Sequence, residues 1–205
     1  VLDLYTAATT NGLRASIMLE ELGLSYRAHK VEIGATSQPK PAALLDVNAA
    51  GTIPTLIDGR EGISISQSFA IMQYLCEREG RFLPSDRRSK ALTMQWMSFV
   101  MTDIISATHP IYVLSVQLQD TPTHIIKHYE DRLMRYLNLV DDQLSQTKYI
   151  TGDAISIVDF ALYPTAQFRL PLIEKAGGAT HLRRWLEAVG SRPGVTRGMA
   201  VPSAG

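Results

Sequence analysis

Residue types able to do polar chemistry concentrate in three short stretches of this chain. The first is Gly51-Thr52-Ile53-Pro54-Thr55-Leu56-Ile57-Asp58. Thr55, Leu56 and Ile57 suit a short buried strand, and Asp58-Gly59 opens a turn. A proline directly before such a strand is unusual, because it removes a ladder donor and restricts Ile53 to extended geometry. The second stretch, Ile63-Ser64-Ile65-Ser66-Gln67-Ser68, alternates as a returning strand and then offers an amide and a hydroxyl. The third is the loop Thr6 to Gly12, with Thr6, Thr9, Thr10 and Asn11. A threonine hydroxyl or an asparagine amide can donate to an anion but cannot act as a base at neutral pH.

Other chemistries find less support. With 205 residues, 45% hydrophobic and 20% charged, and a formal net charge of zero, the chain has the makeup of a globular protein. Nothing in that balance calls for nucleic acid or an anionic membrane as partner. No apolar run is expected to reach the roughly 20 residues that span a bilayer, and the start reads as a strand rather than a signal peptide. The single cysteine, Cys76, excludes an intramolecular disulfide, a thiolate metal cluster and any Cys-x-x-Cys mechanism. It accords with a reducing, cytoplasmic setting. His124 and His128 stand four apart without the Glu of His-Glu-x-x-His or a third ligand nearby, so they read as a solvated face. The adjacent carboxylates Glu20-Glu21, Glu130-Asp131 and Asp141-Asp142 diverge on a helix and need no catalytic role. No Gly-x-Gly-x-x-Gly or Walker loop is present.

The elements that must position the three stretches follow from periodicity. Leu2 to Tyr5 reads as a strand. Ala15, Met18, Leu19 and Leu22 mark a helix that Gly23 stops. Tyr26 to Ile33 reads as a second strand, and a short helix is expected near Ala42 to Leu45. The hairpin follows, and then a helix from Gln67 to Glu77. A right-handed crossover puts the first two strands parallel and leaves the hairpin antiparallel. Gly80 to Arg88 has linker character, and everything beyond reads as helix. One begins at Leu92, Trp96, Phe99 and Val100, and His109-Pro110 is expected to kink or end it. Another shows Ile126, Tyr129, Leu133, Leu137, Val140 and Leu144 on one face. A third opens at Ser156-Ile157-Val158-Asp159, a capping box with Asp in place of Glu. The last carries Leu182, Trp185, Leu186 and Val189. The reading is a thioredoxin-like α/β domain at 1–80 with a mixed four-stranded sheet, a linker at 81–88 and an all-helical domain at 89–205. In a thioredoxin-like sheet the proline before the strand is cis, and the residue preceding it offers its backbone to a peptide-like ligand.

Thr52-Ile53-Pro54, Gln67-Ser68, Ser156-Ile157-Val158-Asp159 and Ser191-Arg192-Pro193-Gly194-Val195, in that order, resemble the cytosolic glutathione transferase superfamily over essentially the whole chain. Asp3-Leu4-Tyr5 followed by Thr9 and Asn11-Gly12 is most similar to its bacterial nu class and fungal prion-like relatives. The resemblance implies that Thr52, Ile53 and Pro54 bind the cysteinyl backbone of glutathione, as one strand adds to another. It also implies that Gln67 and Ser68 hold the γ-glutamyl end, where a helix start receives the carboxylate. Relatives usually carry glutamate where this chain has Gln67. Gln38 is expected near the glycyl end and Arg135 near the ligand from the helical domain. A homodimer is expected, with glutathione as co-substrate and no separate cofactor.

Mechanistically, the resemblance requires the thiol of glutathione to ionise near neutral pH, since the thiolate is the nucleophile. Thr9 and Asn11 would donate to the sulfur while the helix after them adds its dipole. Tyr5, inside the strand, is expected in the core instead. Met97, Met101 and Tyr112 are the expected walls of a pocket for a small hydrophobic electrophile. The activity the resemblance implies is conjugation of glutathione to such an electrophile. Reduction of a disulfide, with all thiols supplied by substrates, is the additional reaction that fits. A non-catalytic binding or assembly module is the alternative.

Overall fold

The computed structural model describes residues 1–33, 40–118 and 120–202. It separates into two compact units, one of Val1–Arg81 with the chain from Gly190 onward, the other of Phe82–Val189.

In the first unit, strands β1 (Leu2–Thr6), β2 (Tyr26–Lys30), β3 (Thr55–Asp58) and β4 (Ile63–Ser66) form one sheet in the order β2-β1-β3-β4. β1 and β2 are parallel, while β3 is antiparallel to both β1 and β4. This is the mixed thioredoxin-like arrangement, and it follows from a helical crossover succeeded by a hairpin. Leu2, Leu4 and Thr6 are buried on one face of β1, as the period of two requires. Tyr5 is on the other face, half-buried and stacked on His29 with centroids 4.7 Å apart, rather than in the core. Val31 is buried, but Ile33 lies beyond β2 and is 55% exposed, so the strand ends earlier than its apolar pattern implied.

Helix α1 (Thr10–Leu22) ends on Gly23 in the left-handed conformation, φ 71°. Helices α2 (Ala42–Val47) and α3 (Ser68–Glu79) complete the α/β order. The chain returns at its C-terminal end to this unit, where α10 (Pro193–Met199) packs on α1. Gly194 and Gly198 permit the approach: a Cβ on Gly198 would stand 2.4 Å from Ile17 Cα. Arg192 forks onto Glu21 (3.0 and 2.6 Å), Arg197 reaches Glu20 (2.6 Å), and the Ser16 hydroxyl donates to Gly198 O (2.7 Å). The Glu20-Glu21 pair is thus structural.

The second unit is helical. α4 (Arg87–Ser98) and α5 (Ile105–Tyr112) are joined by a π-helical segment, Phe99–Ile104, and a second, Val113–Gln117, follows α5. Pro110 therefore does not end the helix, which widens on either side of it. The whole run Arg87–Gln117 has 31 residues and an 18-residue window of mean hydropathy 1.3. By length and composition it is long and apolar enough to cross a membrane, which corrects the expectation that no segment is. Its polar Ser and Thr residues interrupt every apolar run without lowering the mean far. Helices α6 (Thr123–Gln146), α7 (Ile157–Phe168), α8 (Leu170–Ala176) and α9 (Thr180–Gly190) follow. The α7 capping box forms as its sequence predicts: Ser156 Oγ accepts from Val158 N, and Asp159 accepts from Ser156 N at 2.8 Å. Asp159 is fully buried and also accepts from Ile150 N (3.0 Å) and Trp185 Nε1 (2.9 Å).

Candidate functional site

Sheet register brings the three polar stretches together. Tyr5 pairs with Thr55, and Thr55 pairs with Ser66. With β3 antiparallel to both neighbours, the end of β1, the start of β3 and the end of β4 lie at one edge of the sheet. The loop bearing Thr9 and Asn11, the Thr52-Ile53-Pro54 segment and the Gln67-Ser68 pair all leave from that edge.

Each stretch is held by local chemistry. The ladder begins at Thr55, so Ile53 lies outside it with its backbone groups unclaimed by the sheet. The Ile53–Pro54 bond is cis. Asn48 shapes the approach: its Nδ2 donates to Thr52 O, Thr52 Oγ1 and Thr55 Oγ1 at 3.0–3.1 Å, and its Oδ1 accepts from Ala50 N. Thr55 Oγ1 in turn donates to Thr52 O at 2.9 Å. Gly51, at φ 55°, makes the tight turn between them.

Gln67 has φ 77° and ψ 121°, a conformation that a side chain with a Cβ rarely adopts. Strain of this kind costs on the order of 1–3 kcal/mol and gathers at sites that use it. Gln67 is exposed and stands at the N-cap of α3, with no side-chain cap bond and no acidic residue in the first turn. The first-turn N–H groups of α3, beginning at the buried Ser68, can therefore serve an external anion.

At the third stretch, Thr9 is the N-cap of α1 and its Oγ1 accepts from Gly12 N at 3.2 Å. Its O–H proton is the part that can still be donated. Asn11 is exposed in the first turn, and its Oδ1 accepts from Arg14 Nη1. Gly12 is needed because a Cβ there would stand 2.1 Å from Ala7 O.

Placement excludes Cys76 from thiol chemistry. Cys76 is buried with its sulfur 3.3 Å from Met18 Sδ, and burial pushes its thiol up to about 12. No three His, Cys, Asp or Glu side chains are grouped to hold a metal ion among the described residues.

The remaining expected residues are elsewhere. Gln38 lies outside the described residues. Met97, Met101, Tyr112 and Arg135 belong to the helical unit. Met97 is only 1% exposed, so it packs in that unit's core. Met101 is half-buried within the first π-helical segment, Tyr112 is exposed at the end of α5 and Arg135 is exposed on α6. Sequence reasoning missed Asn48 and Arg14. An Asn three residues before Gly51 was a turn signal, and a charged residue between Leu13 and Ala15 was the trace of Arg14.

This mixed sheet with its polar edge, accompanied by an all-helical unit, defines a thioredoxin-like class of protein. Residues 10–78 match the glutathione S-transferase N-terminal domain and residues 92–193 its C-terminal domain. The chain belongs to the glutathione S-transferase family. It is 31% identical to the disulfide-bond oxidoreductase YghU of Escherichia coli, over 98% of this chain and 74% of that protein. It is 28% identical to the disulfide-bond oxidoreductase YfcG of the same organism, over 94% and 92%. A glutathione transferase of Burkholderia graminis, solved with two glutathione molecules per subunit, superposes with a TM-score of 0.89 at 28% identity, covering 100% of this chain and 89% of that one.

Proposed function

We propose that this protein binds glutathione at the β1–β3–β4 edge, holds it as the thiolate, and uses it to reduce disulfides of substrates. The observation that carries this reading is the convergence on one sheet edge of a backbone segment outside the ladder (Ile53), a helix start without a side-chain cap (Gln67-Ser68) and two donors at a second helix start (Thr9, Asn11). Ile53 would pair with the cysteinyl backbone, flanked by Thr52 and Pro54, and Ser68 and the α3 N-terminus would receive the γ-glutamyl carboxylate. Thr9 and Asn11 would donate to sulfur, each worth roughly 3 kcal/mol by analogy with oxyanion-hole donors.

In the reaction the glutathione thiolate attacks one sulfur of the substrate disulfide, forming a mixed disulfide and releasing a substrate thiolate. A second glutathione thiolate then attacks the mixed disulfide, giving glutathione disulfide and the second substrate thiolate. The protein supplies no thiol, which suits a chain whose one cysteine is buried with a raised pKa. Two relatives named as disulfide-bond oxidoreductases support this choice. Conjugation of glutathione to a small hydrophobic electrophile is the second reading, favoured by the accessible Met101 and Tyr112 beside π-helical turns, which recur at functional sites.

The test is retention on immobilised glutathione, followed by turnover of a small disulfide and of a generic aryl halide. Retention with faster disulfide turnover is expected. Electrophile turnover above disulfide turnover overturns the reductase, and retention without either activity points to a binding module.

A further inference from the structure

We propose that Arg14 is a positioning residue that fixes the orientation of the Asn11 amide, so that its N–H groups, not its oxygen, meet the glutathione sulfur. This rests on the glutathione reading above, and it assigns a role to a side chain that touches no substrate.

Arg14 is fully buried in α1, and its Nη1 donates to Asn11 Oδ1. A guanidinium has five N–H donors and no acceptor, so the Asn11 atom that faces it must be oxygen. The two ends of an amide are otherwise nearly interchangeable, and a solvated asparagine samples both. With Oδ1 held on the Arg14 side, Nδ2 and its two donors are turned to the other side, at an exposed position in the first turn of α1. Arg14 follows Asn11 by three residues, the helical spacing at which side chains meet.

The arrangement is costly, which argues that it does something. Burial alone depresses the Arg14 guanidinium to about 10. The group therefore keeps its charge at neutral pH in a place that disfavours charge. That charge lies one turn inside the positive end of α1, so it has the same sign as the helix dipole there. Gly12 lets the helix start lie close against Ala7, where a Cβ would stand 2.1 Å from Ala7 O.

The experiment reads the ultraviolet band of the glutathione thiolate bound to the unaltered protein and to the Arg14→Met, Asn11→Ala, Asn11→Asp and Arg14→Met/Asn11→Ala variants, alongside glutathione affinity by calorimetry. Arg14→Met is expected to lower the thiolate fraction and kcat about tenfold, the effect of one charge-assisted hydrogen bond, with KM for glutathione little changed. The double variant is expected to be no worse than Asn11→Ala alone. Asn11 is exposed, so Asn11→Asp keeps the fold and the bond to Arg14 while removing both donors. It is expected to lose the band even if Arg14→Met does not fold. Additive losses in the double variant, a full thiolate band in Asn11→Asp, or a band unmoved by Arg14→Met overturn the proposal and leave the glutathione site standing. If the unaltered protein binds no glutathione, the functional reading falls and the proposal with it.

Discussion

The two ends of the β3–β4 hairpin use polar residues in opposite ways. At the turn end, Asp58 is 2% exposed and its carboxylate is consumed internally. Oδ1 accepts from Arg60 N at 2.9 Å, and Oδ2 from the Tyr74 hydroxyl at 2.7 Å and Arg78 Nη1 at 2.6 Å. At the other end, Gln67 is exposed and strained, its side chain leaves the α3 N-terminus uncapped, and Ile53 stands outside the ladder. One end closes the hairpin; the other holds groups in place without satisfying them. A polar cluster that satisfies itself contributes to the fold, whereas one held by its surroundings and left open toward solvent is available to a ligand.

The largest effect should come from breaking the closed end. Asp58→Ala strands Tyr74, Arg78 and the turn amides, and a loss of about 3 kcal/mol in denaturant unfolding is expected. A loss under about 1 kcal/mol would mean that water replaces the carboxylate and that the contrast between the ends is overdrawn. At the open end, Ser68→Ala should leave unfolding nearly unchanged and weaken glutathione binding about tenfold, the value of a hydrogen bond to a charged group. Calorimetry decides it: equal affinities would take Ser68 out of the site.

Gln67 sharpens the comparison further, because it separates stability from binding. Gln67→Gly relieves the positive φ and should stabilise the protein by about 1 kcal/mol while lowering glutathione affinity. Gln67→Glu adds a negative charge and should raise affinity for the ligand's ammonium end. An unchanged affinity in Gln67→Glu would show that the amide already serves that group fully.

The closed and open ends were not equally legible in sequence. Period-two alternation and Asp58-Gly59 announced the hairpin, and Pro54 against a buried strand announced the open end, because a missing ladder donor is a local fact. The Ser156–Asp159 capping box was also visible, since both partners lie within four residues. Its fourth contact, Asp159 to Trp185, was not, because 26 residues and a helix separate them. The same holds for Arg192 with Glu21, which brings the chain's last helix back to the first unit across 171 residues. Arg14 was hidden differently: helical periodicity marks apolar faces, and a buried cation reads there as a defect in the pattern. The π-helical segments on either side of α5 depend on how neighbouring turns widen, which residue propensities do not encode.

The smallest effect concerns acid. Burial by itself would raise the Asp58 carboxyl, but the bonds from Tyr74, from the Arg60 and Glu61 amides and from Arg78 outweigh it and hold it at about 2. In the unfolded chain the group returns to its ordinary value of 3.8. Between those values the unfolded state binds more protons than the folded one, so the stability Asp58 contributes is present above the unfolded pKa and is lost as pH falls toward 2. Tyr74→Phe deletes one of the bonds that depress the carboxyl, so its folded pKa should rise toward the unfolded one. The acid limb of unfolding free energy against pH should then be shallower than in the unaltered protein, while the limb for Gln67→Gly should keep its slope. Parallel acid limbs for Tyr74→Phe and the unaltered protein would show that Arg78 and the backbone amides hold Asp58 without the tyrosine.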